Sequence, residues 1–385
     1  MALKLKVFFS ILAISLIPTL LIWIPFFFRI ESIWKIPLPK NGMETIVANY
    51  DGPFYILVSK TLYNPKMVGK FSFTLPAEYY AAHFPLFPLL IRLFSYTFGS
   101  PYSMLFVTAT SSILAIFFFY IFTNEFTNKK NALWLTFIFS VFPARWLIVR
   151  SVGSAEPLFL AMIIASVYFF RKNKFFLAGI FGLLAQLTKS PGILLFIAYF
   201  LFLFISDFKR IIIETSQHAS KKIELKRYLS ISLIPLGLLI VFLIYKIQLK
   251  DFFAYFHSGD NIHLFFPPFQ IFNYSSAWVG TFWLEEIIFI YLFGFLGLIN
   301  LINKKETPLA WVVGVFFTSL LFVSHRDLMR YALPIVPFLF SAFSETLVKK
   351  DFKLILLILL IPIYLFSLSF ISQNVMPVSD WTPLL

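Results

Sequence analysis

The chain has 385 residues, of which 59% are hydrophobic and 13% are charged, and its formal net charge is +14. A mean hydropathy of +0.85 excludes an ordinary soluble domain, and the absence of cysteine excludes disulfides and thiol chemistry. The basic charge does not indicate nucleic acid as a partner, because lysines that mark cytoplasmic loops and contact anionic lipid account for it.

Long apolar runs recur along the chain, each near the length that crosses the hydrocarbon of a bilayer. In lipid these runs have to be helices, because any other backbone would leave amide groups without partners. The first run follows Lys4 and Lys6 and is longer than the core of a signal peptide, so it predicts an uncleaved helix with a cytoplasmic N-terminus. We predict about eleven crossings, at residues 7–28, 102–123, 132–149, 156–170, 175–188, 191–206, 229–247, 285–302, 308–323, 331–347 and 353–371.

The predicted fold class is all-α: a polytopic transmembrane protein with a single integral membrane domain over residues 1–385. Two segments rich in aromatics and prolines, 29–101 and 250–284, are the predicted large extracytoplasmic loops. The first is expected to carry interfacial helices, such as one that begins near Phe84. Five compact basic clusters fall in the other set of loops, which the positive-inside rule assigns to the cytoplasm, at 129–130, 171–174, 209–227, 304–305 and 349–350.

The run from 175 to 206 is interrupted by Thr188-Lys189-Ser190-Pro191-Gly192. It predicts either two short spans or a re-entrant hairpin. Broken helices of this kind are tolerated in membranes where they are buried in protein or line a cavity.

Several motifs are missing from the sequence. It has no G-x-x-x-x-G-K-[ST], no G-x-G-x-x-G and no Asp-x-Asp pair, so nothing indicates a nucleotide or a metal-bound nucleotide sugar. Its five histidines show no metal-ligand spacing. An enzyme of this composition is therefore expected to use an activated substrate that arrives through the membrane, without a cofactor or a bound metal.

Asp51 is the first candidate for chemistry, in Asn49-Tyr50-Asp51-Gly52-Pro53, within the first long polar stretch. A sugar linked to a lipid phosphate carries a good leaving group that needs little protonation. Its transfer needs one carboxylate to accept the proton of the acceptor hydroxyl, and cations to hold the departing phosphate. Asp51 is the candidate general base of such an inverting transfer; the alternative is an aspartate that forms a turn ahead of Gly-Pro.

Four patches, taken in chain order, resemble the glycosyltransferase C superfamily, in particular mannosyltransferases similar to the phosphatidylinositol-glycan class V family. They are Tyr50–Tyr55 with 58–63, His83–Leu90, Ser154–Leu160, and Leu187–Gly192 together with Arg330–Pro334. The resemblance implies a multi-helix enzyme that transfers mannose or another hexose from a polyprenyl- or dolichyl-phosphate donor on the extracytoplasmic side. The acceptor would be a glycan, a lipid or a protein.

In that superfamily an acid in the first external loop is the expected catalytic base, and this role maps onto Asp51. The chain departs from the eukaryotic pattern in having Asn49-Tyr50 where Arg-Trp is commoner, and Lys189 where arginine is frequent.

Lysine and arginine are usually enriched in cytoplasmic loops, so cations near the predicted external helix ends need an explanation. Binding of a lipid phosphate is one such explanation. These candidates are Arg150, Lys189, Arg326 and Arg330. Snorkelling to headgroups, or pairing with acids such as Asp327, is the alternative. Further candidate substrate contacts are His83, Glu156, Tyr50 and Tyr55, with Trp278 and Trp283 as candidate stacking partners. A helix-capping role for Glu156, a satisfied interfacial histidine and an aromatic belt are the structural alternatives.

Two other functions stay open at the level of sequence. A transporter or lipid flippase would be expected to show repeat symmetry and charge pairs within the membrane, whereas here the charges lie at membrane edges and in one outer loop. An oligosaccharide ligase or polymerase of envelope glycans is compatible with the long second outer loop, 250–284.

Overall fold

The structure, a computed structural model, describes residues 2–215, 224–259, 263–275 and 284–385. The chain is 72% helical, which confirms the all-α class. One two-stranded antiparallel hairpin is present in the described part, β1 (Ser32–Ile33) with β2 (Ile36–Pro37). The helices of the first half are α1 (Ala2–Phe27), α2 (Met43–Val47), α3 (Gly52–Thr61), α4 (Pro65–Val68), α5 (Leu86–Phe98), α6 (Ser100–Thr123), α7 (Lys129–Val141), α8 (Ala144–Val149), α9 (Glu156–Arg171) and α10 (Phe175–Thr188).

The helices of the second half are α11 (Ile193–Thr215), α12 (Leu225–Ile231), α13 (Leu233–Gln248), α14 (Leu284–Asn303), α15 (Thr307–Leu320), α16 (Leu328–Ala332), α17 (Val336–Ala342), α18 (Ser344–Leu347) and α19 (Lys350–Gln373). Short 3₁₀ turns lie at Ala77–Ala82, Ser190–Gly192, Gln270–Phe272 and Thr382–Leu384.

Six helical segments among the described residues are long and apolar enough to cross a membrane: Leu5–Phe27, Ser100–Thr123, Ser190–Ile212, Leu225–Gln248, Leu284–Asn303 and Lys350–Gln373. They coincide with six of the predicted spans, and the polytopic architecture is confirmed. The other five predicted spans, 132–149, 156–170, 175–188, 308–323 and 331–347, are shorter or broken helices.

The prediction of continuous helices at 132–149 and 331–347 is wrong. The first breaks between α7 and α8 at Pro143, and the second divides between α16 and α17 around Pro334 and between α17 and α18 at Phe343. Proline lacks the N–H that an interior helical position donates, and it disfavours the α conformation in the residue before it. The apolar composition hides these breaks, because α7, α8, α16 and α17 all contribute buried residues.

Helix α9 is the centre of the fold, and it packs between α6 and α10 with nearly every side chain of its first eleven residues buried. Glycines on α10 allow its close contact with α12 and α13. A Cβ on Gly179 would lie 2.0 Å from the carbonyl oxygen of Ser230, and one on Gly182 would lie 2.6 Å from the side chain of Ile234. This packing fixes the C-terminal end of α10, and with it Lys189, beside the first residue of α9.

Ion pairs connect the loops at one end of the molecule. Arg171 pairs with Glu306 at 2.8 Å, Lys172 with Glu125, and Lys304 with Glu345 at 3.0 Å. All three cations belong to the clusters that the sequence assigns to the cytoplasm. The predicted first extracytoplasmic loop, 29–101, lies at the other end of these helices.

The segment after α19 lies at that other end and contacts residues 44–49 of the predicted first extracytoplasmic loop. The backbone N–H of Met376 donates to the carbonyl oxygen of Ala48 at 2.7 Å, and Asn49 forms an antiparallel bridge with Val375. The indole of Trp381 donates to Glu44 at 2.7 Å. The chain that leads into Asp51 is therefore supported by the last residues of the sequence.

Candidate active site

The turn that presents Asp51 lies between α2 and α3. Tyr50 adopts a left-handed backbone conformation with φ 49°, which reverses the chain before α3 begins at Gly52. A Cβ on Gly52 would lie 2.1 Å from the carbonyl oxygen of Val47, so the close approach of α2 and α3 requires glycine there. The Asp51 side chain keeps 36% of its surface exposed, and it faces a cavity.

This cavity, here called the polar cavity, has a volume of about 310 Å³. Six of the residues singled out from the sequence line it: Asp51, Tyr55, His83, Glu156, Lys189 and Arg330. They come from α3, the loop before α5, α9, the end of α10, and α16. Positions up to 279 residues apart thus contribute to one wall.

The centre of the polar cavity is an ion network around Glu156, whose side chain is only 3% exposed. Its Oε1 accepts from Lys189 Nζ and from Arg330 Nε, both at 2.5 Å. The hydroxyl of Ser154 donates to the other carboxylate oxygen. Arg330 Nη2 also lies 3.4 Å from Asp51 Oδ2.

The charges of this network balance, since two carboxylates face two cations. A guanidinium has five N–H donors and an ammonium has three, so Arg330 and Lys189 keep unused donors after these contacts. The arrangement holds two cations close to one partly exposed carboxylate, Asp51, whose second oxygen is available to a substrate hydroxyl. Glu156 therefore does not only cap helix α9, which was the alternative interpretation, but also binds both cations.

A second ion pair lies next to the polar cavity. Arg145 Nε is 2.8 Å from Asp327 Oδ1, and their side chains are 13% and 10% exposed. The hydroxyl of Tyr50 donates to Asp327 Oδ2 at 3.2 Å, and its ring lies 4.4 Å from the Arg330 guanidinium. Tyr50 does not line the polar cavity, but its ring stacks against the guanidinium of Arg330, which does.

Two histidines of the polar cavity are neutral. Burial lowers the pKa of His83, and burial together with the positive neighbours lowers the pKa of His325 to about 3. Nδ1 of His325 accepts the backbone N–H of Asp327 at 2.9 Å, which requires an unprotonated nitrogen there. These side chains provide hydrogen-bonding groups rather than charge.

The structure does not bring every predicted residue to the polar cavity. Arg150 is 1% exposed and bonds elsewhere, donating to the carbonyl oxygens of Ser140, at 2.6 Å, and of Ser15. A buried guanidinium needs such acceptors, so Arg150 fastens α1 to the α7–α8 break instead of facing a substrate. Arg326 is exposed and does not line the polar cavity. Trp278 and Trp283 lie outside the described residues.

Sequence reasoning missed several residues of the site. Besides Arg145 they are Tyr79, Tyr255, His263 and His325, while Ser154 and Tyr331 appeared only within the resembling patches and Asp327 only as an ion-pair partner. Arg145 carried a usable signal, because it interrupts an apolar run and an ionisable residue in such a run needs a partner. The others are single polar residues without spacing that distinguishes them.

An apolar chamber of about 280 Å³ adjoins the polar cavity. The two share Ser190, Pro191, Tyr255, His263, Tyr331 and Pro334. The rest of the chamber wall is mostly hydrophobic, with Leu194, Leu238, Phe242, Phe316, Leu320 and Val323. Among the described residues no group of three or more acidic or histidine side chains is arranged to hold a metal ion.

No family model and no curated protein sequence matches the chain. Several solved structures are similar to the chain. ArnT from Cupriavidus metallidurans, crystallised with undecaprenyl phosphate, is similar over 87% of this chain with a TM-score of 0.54 and 13% identity. The archaeal oligosaccharyltransferase AglB from Archaeoglobus fulgidus, in complex with an inhibitory peptide and a dolichol-phosphate, is similar over 96% with a TM-score of 0.53 and 12% identity.

The chain therefore shares the fold of the membrane-embedded part of these two proteins. The class V mannosyltransferase subtype is not distinguished by these likenesses. The chain spans 60% of the length of the ArnT chain and 57% of the AglB chain.

Proposed function

We propose that the protein is a membrane glycosyltransferase that moves a sugar from a polyprenyl- or dolichyl-phosphate donor to an acceptor hydroxyl on the extracytoplasmic side. One observation carries this proposal: a partly exposed carboxylate, Asp51, shares a cavity with two cations, Lys189 and Arg330, and an apolar chamber adjoins the same cavity.

The proposed reaction needs only groups that the polar cavity contains. Asp51 accepts the proton of the acceptor hydroxyl while the hydroxyl oxygen forms a bond to the anomeric carbon of the sugar. The bond from that carbon to the phosphate oxygen breaks, and its electron pair leaves with the prenyl phosphate. Arg330 and Lys189 stabilise the charge that develops on the phosphate. Attack from the face opposite the phosphate inverts the anomeric centre, and no cofactor takes part.

The apolar chamber supports the lipid nature of the donor. Its leucine and phenylalanine side chains suit the first isoprene units of a polyprenyl chain, whose burial is favourable in proportion to the apolar area removed from water. The phosphate would then lie beside Lys189, next to the shared residues Ser190 and Pro191. ArnT and AglB were both solved with prenyl phosphates, which supports this donor class.

The sugar is proposed to be mannose or another hexose, on the resemblance to class V mannosyltransferases. The likeness to AglB favours a second candidate, the transfer of a preassembled oligosaccharide. A donor panel separates the two: purified protein is incubated with synthetic prenyl-phosphoryl monosaccharides and oligosaccharides, and prenyl phosphate release and glycoside formation are measured.

The base is tested in the same assay. Asp51→Asn keeps the size of the side chain and removes its basicity, so transfer is expected to fall by about 10²- to 10⁴-fold, as for loss of a general base. Asp251→Asn is the matched control, since Asp251 lies at the same end of the molecule outside the polar cavity. Near-parental turnover by folded Asp51→Asn would contradict the assignment, and a parent that transfers from no prenyl-phosphate donor would contradict the function.

A further inference from the structure

We propose that the Arg145–Asp327 ion pair is a positioning device that acts on Arg330 through Tyr50 and holds the guanidinium ready for the donor phosphate. The inference rests on the proposed function, in which Arg330 binds that phosphate. None of the three supporting residues lines the polar cavity, so their effect on the reaction is indirect.

The ion pair of Arg145 and Asp327 connects two parts of the fold. Arg145 lies in the first turn of α8, just after Pro143, and Asp327 directly precedes α16. The pair therefore joins two elements that are distant in sequence. Arg145 is also covered by the ring of Phe370, whose centroid lies 3.8 Å from its guanidinium carbon. Both side chains are nearly buried, so the two charges attract each other with little screening by water.

Tyr50 is bonded to both members of this ion pair. Its hydroxyl donates to Asp327 Oδ2 at 3.2 Å and accepts from Arg145 Nη1 at 3.4 Å. Its backbone is left-handed, and its ring packs on Phe370 at 5.7 Å. The ring thus has one orientation, set at its far end by both members of the ion pair.

The ring of Tyr50 contacts the guanidinium of Arg330. The guanidinium carbon lies 4.4 Å from the centre of the Tyr50 ring, while Nε is bonded to Glu156. A planar cation over an aromatic face with one nitrogen fixed has little rotational freedom left. Its two terminal nitrogens then point in a defined direction, and Nη2 is already beside Asp51.

Asp327 also holds the backbone of Arg330, since the Arg330 N–H donates to the Asp327 carbonyl oxygen at 3.0 Å. The side chain of Asp327 therefore fixes the surface on which the Arg330 side chain lies, and its main chain fixes where that side chain starts.

The test measures Arg330 directly and separately from catalysis. Phenylglyoxal modifies accessible arginine guanidinium groups, and peptide mass spectrometry gives the rate at each site. The variants are Tyr50→Phe, which keeps the ring and removes its tether, and Asp327→Asn, which removes the charge. Glu306→Gln is the matched control, because Arg171 and Glu306 form a part-buried ion pair of the same 2.8 Å length at the other end of the fold.

The expected result is faster modification of Arg330 in both variants and an unchanged rate in the control. For donors that the parent uses, KM for the donor is expected to rise about tenfold in Asp327→Asn, with a smaller change in kcat and a smaller effect in Tyr50→Phe. If Asp327→Asn does not fold, Tyr50→Phe alone decides between the outcomes.

An unchanged Arg330 rate in folded Tyr50→Phe would overturn the positioning role even if activity fell. A parent that transfers no sugar would overturn the proposed function, while the modification rates would still decide whether the ion pair holds Arg330. A rise in donor KM equal to that of Glu306→Gln would also overturn the inference, because general destabilisation would then explain both.

Discussion

Arg330 and Glu156 are 174 positions apart in the chain, and Arg330 Nε donates to Glu156 Oε1 at 2.5 Å. The same oxygen accepts from Lys189 at 2.5 Å. One buried carboxylate therefore joins α9, the end of α10 and α16, and it holds both candidate phosphate ligands in place. The stability of the site and its proposed chemistry depend on the same side chain.

We expect Glu156→Gln to lower both stability and transfer. The change leaves two cations without their shared partner, and removing one side of a buried ion pair costs about 3 kcal/mol or more. Thermal unfolding in detergent, followed by tryptophan fluorescence, measures the stability, and donor KM is expected to rise in the same variant. Glu306→Gln, in the more exposed pair with Arg171, is expected to have a smaller effect on unfolding and none on KM; equal effects would show that Glu156 has no special position.

The support of Asp51 by the last residues of the chain gives a second prediction. The Asn49 amide donates to the carbonyl oxygen of Ile371 at 2.7 Å and accepts from Asn374 at 3.2 Å, and Asn49 is fully buried. Asn49→Ala leaves buried groups unsatisfied, at a cost of about 1–3 kcal/mol. The unfolding midpoint is expected to fall, and kcat with it, because Asp51 is two residues away.

The control for this variant is Asn41→Ala. Asn41 is exposed, and its bond to Glu44 is 3.3 Å long, so little change in the unfolding midpoint is expected. Equal midpoints for Asn49→Ala and the parent would mean that the contacts to Ile371 and Asn374 contribute nothing.

Stability is expected to depend on pH through His325. Burial and neighbouring positive groups lower its pKa to about 3, so the folded protein does not take up this proton until the pH is far below the usual histidine value. An unfolded histidine binds the proton below about pH 6.5, so between these values protonation favours the unfolded chain and stability rises with pH. Thermal unfolding between pH 4 and 7 should show a shallower dependence in His325→Asn, whose side-chain oxygen still accepts from Asp327. Parallel curves would exclude this contribution.

The orientation can be measured by cysteine labelling in a chain that has no cysteine of its own. Trp34, at the tip of the hairpin, is 80% exposed at the end that carries Asp51, and the Glu345 side chain is 83% exposed at the opposite end. An impermeant maleimide added to intact cells is expected to label Trp34→Cys and to label Glu345→Cys only after permeabilisation. The reverse pattern would assign the polar cavity to the cytoplasm.

The sequence predicted the class of the fold because the bilayer restricts the choice. Apolar runs in lipid have to be helices, and six of them are long enough to be identified by length alone. The helix breaks at 142–143 and 333–335 were not predicted, because apolar composition does not distinguish one long helix from several short ones. Among site residues, Asp51, Glu156, Lys189 and Arg330 were identified because charge is rare in this chain and each lies next to a turn or a helix end.

What the sequence determined by itself is that the protein spans a membrane and that a few charged residues lie at the edges of its helices. Only the tertiary structure decided which of them meet. Arg150 and Arg330 look alike in the sequence, yet one is bonded to the carbonyl oxygens of Ser15 and Ser140 and the other to two carboxylates of the polar cavity. The physical reason is that a buried charge is stable wherever the packing of helices provides acceptors, and that packing depends on contacts between residues more than a hundred positions apart.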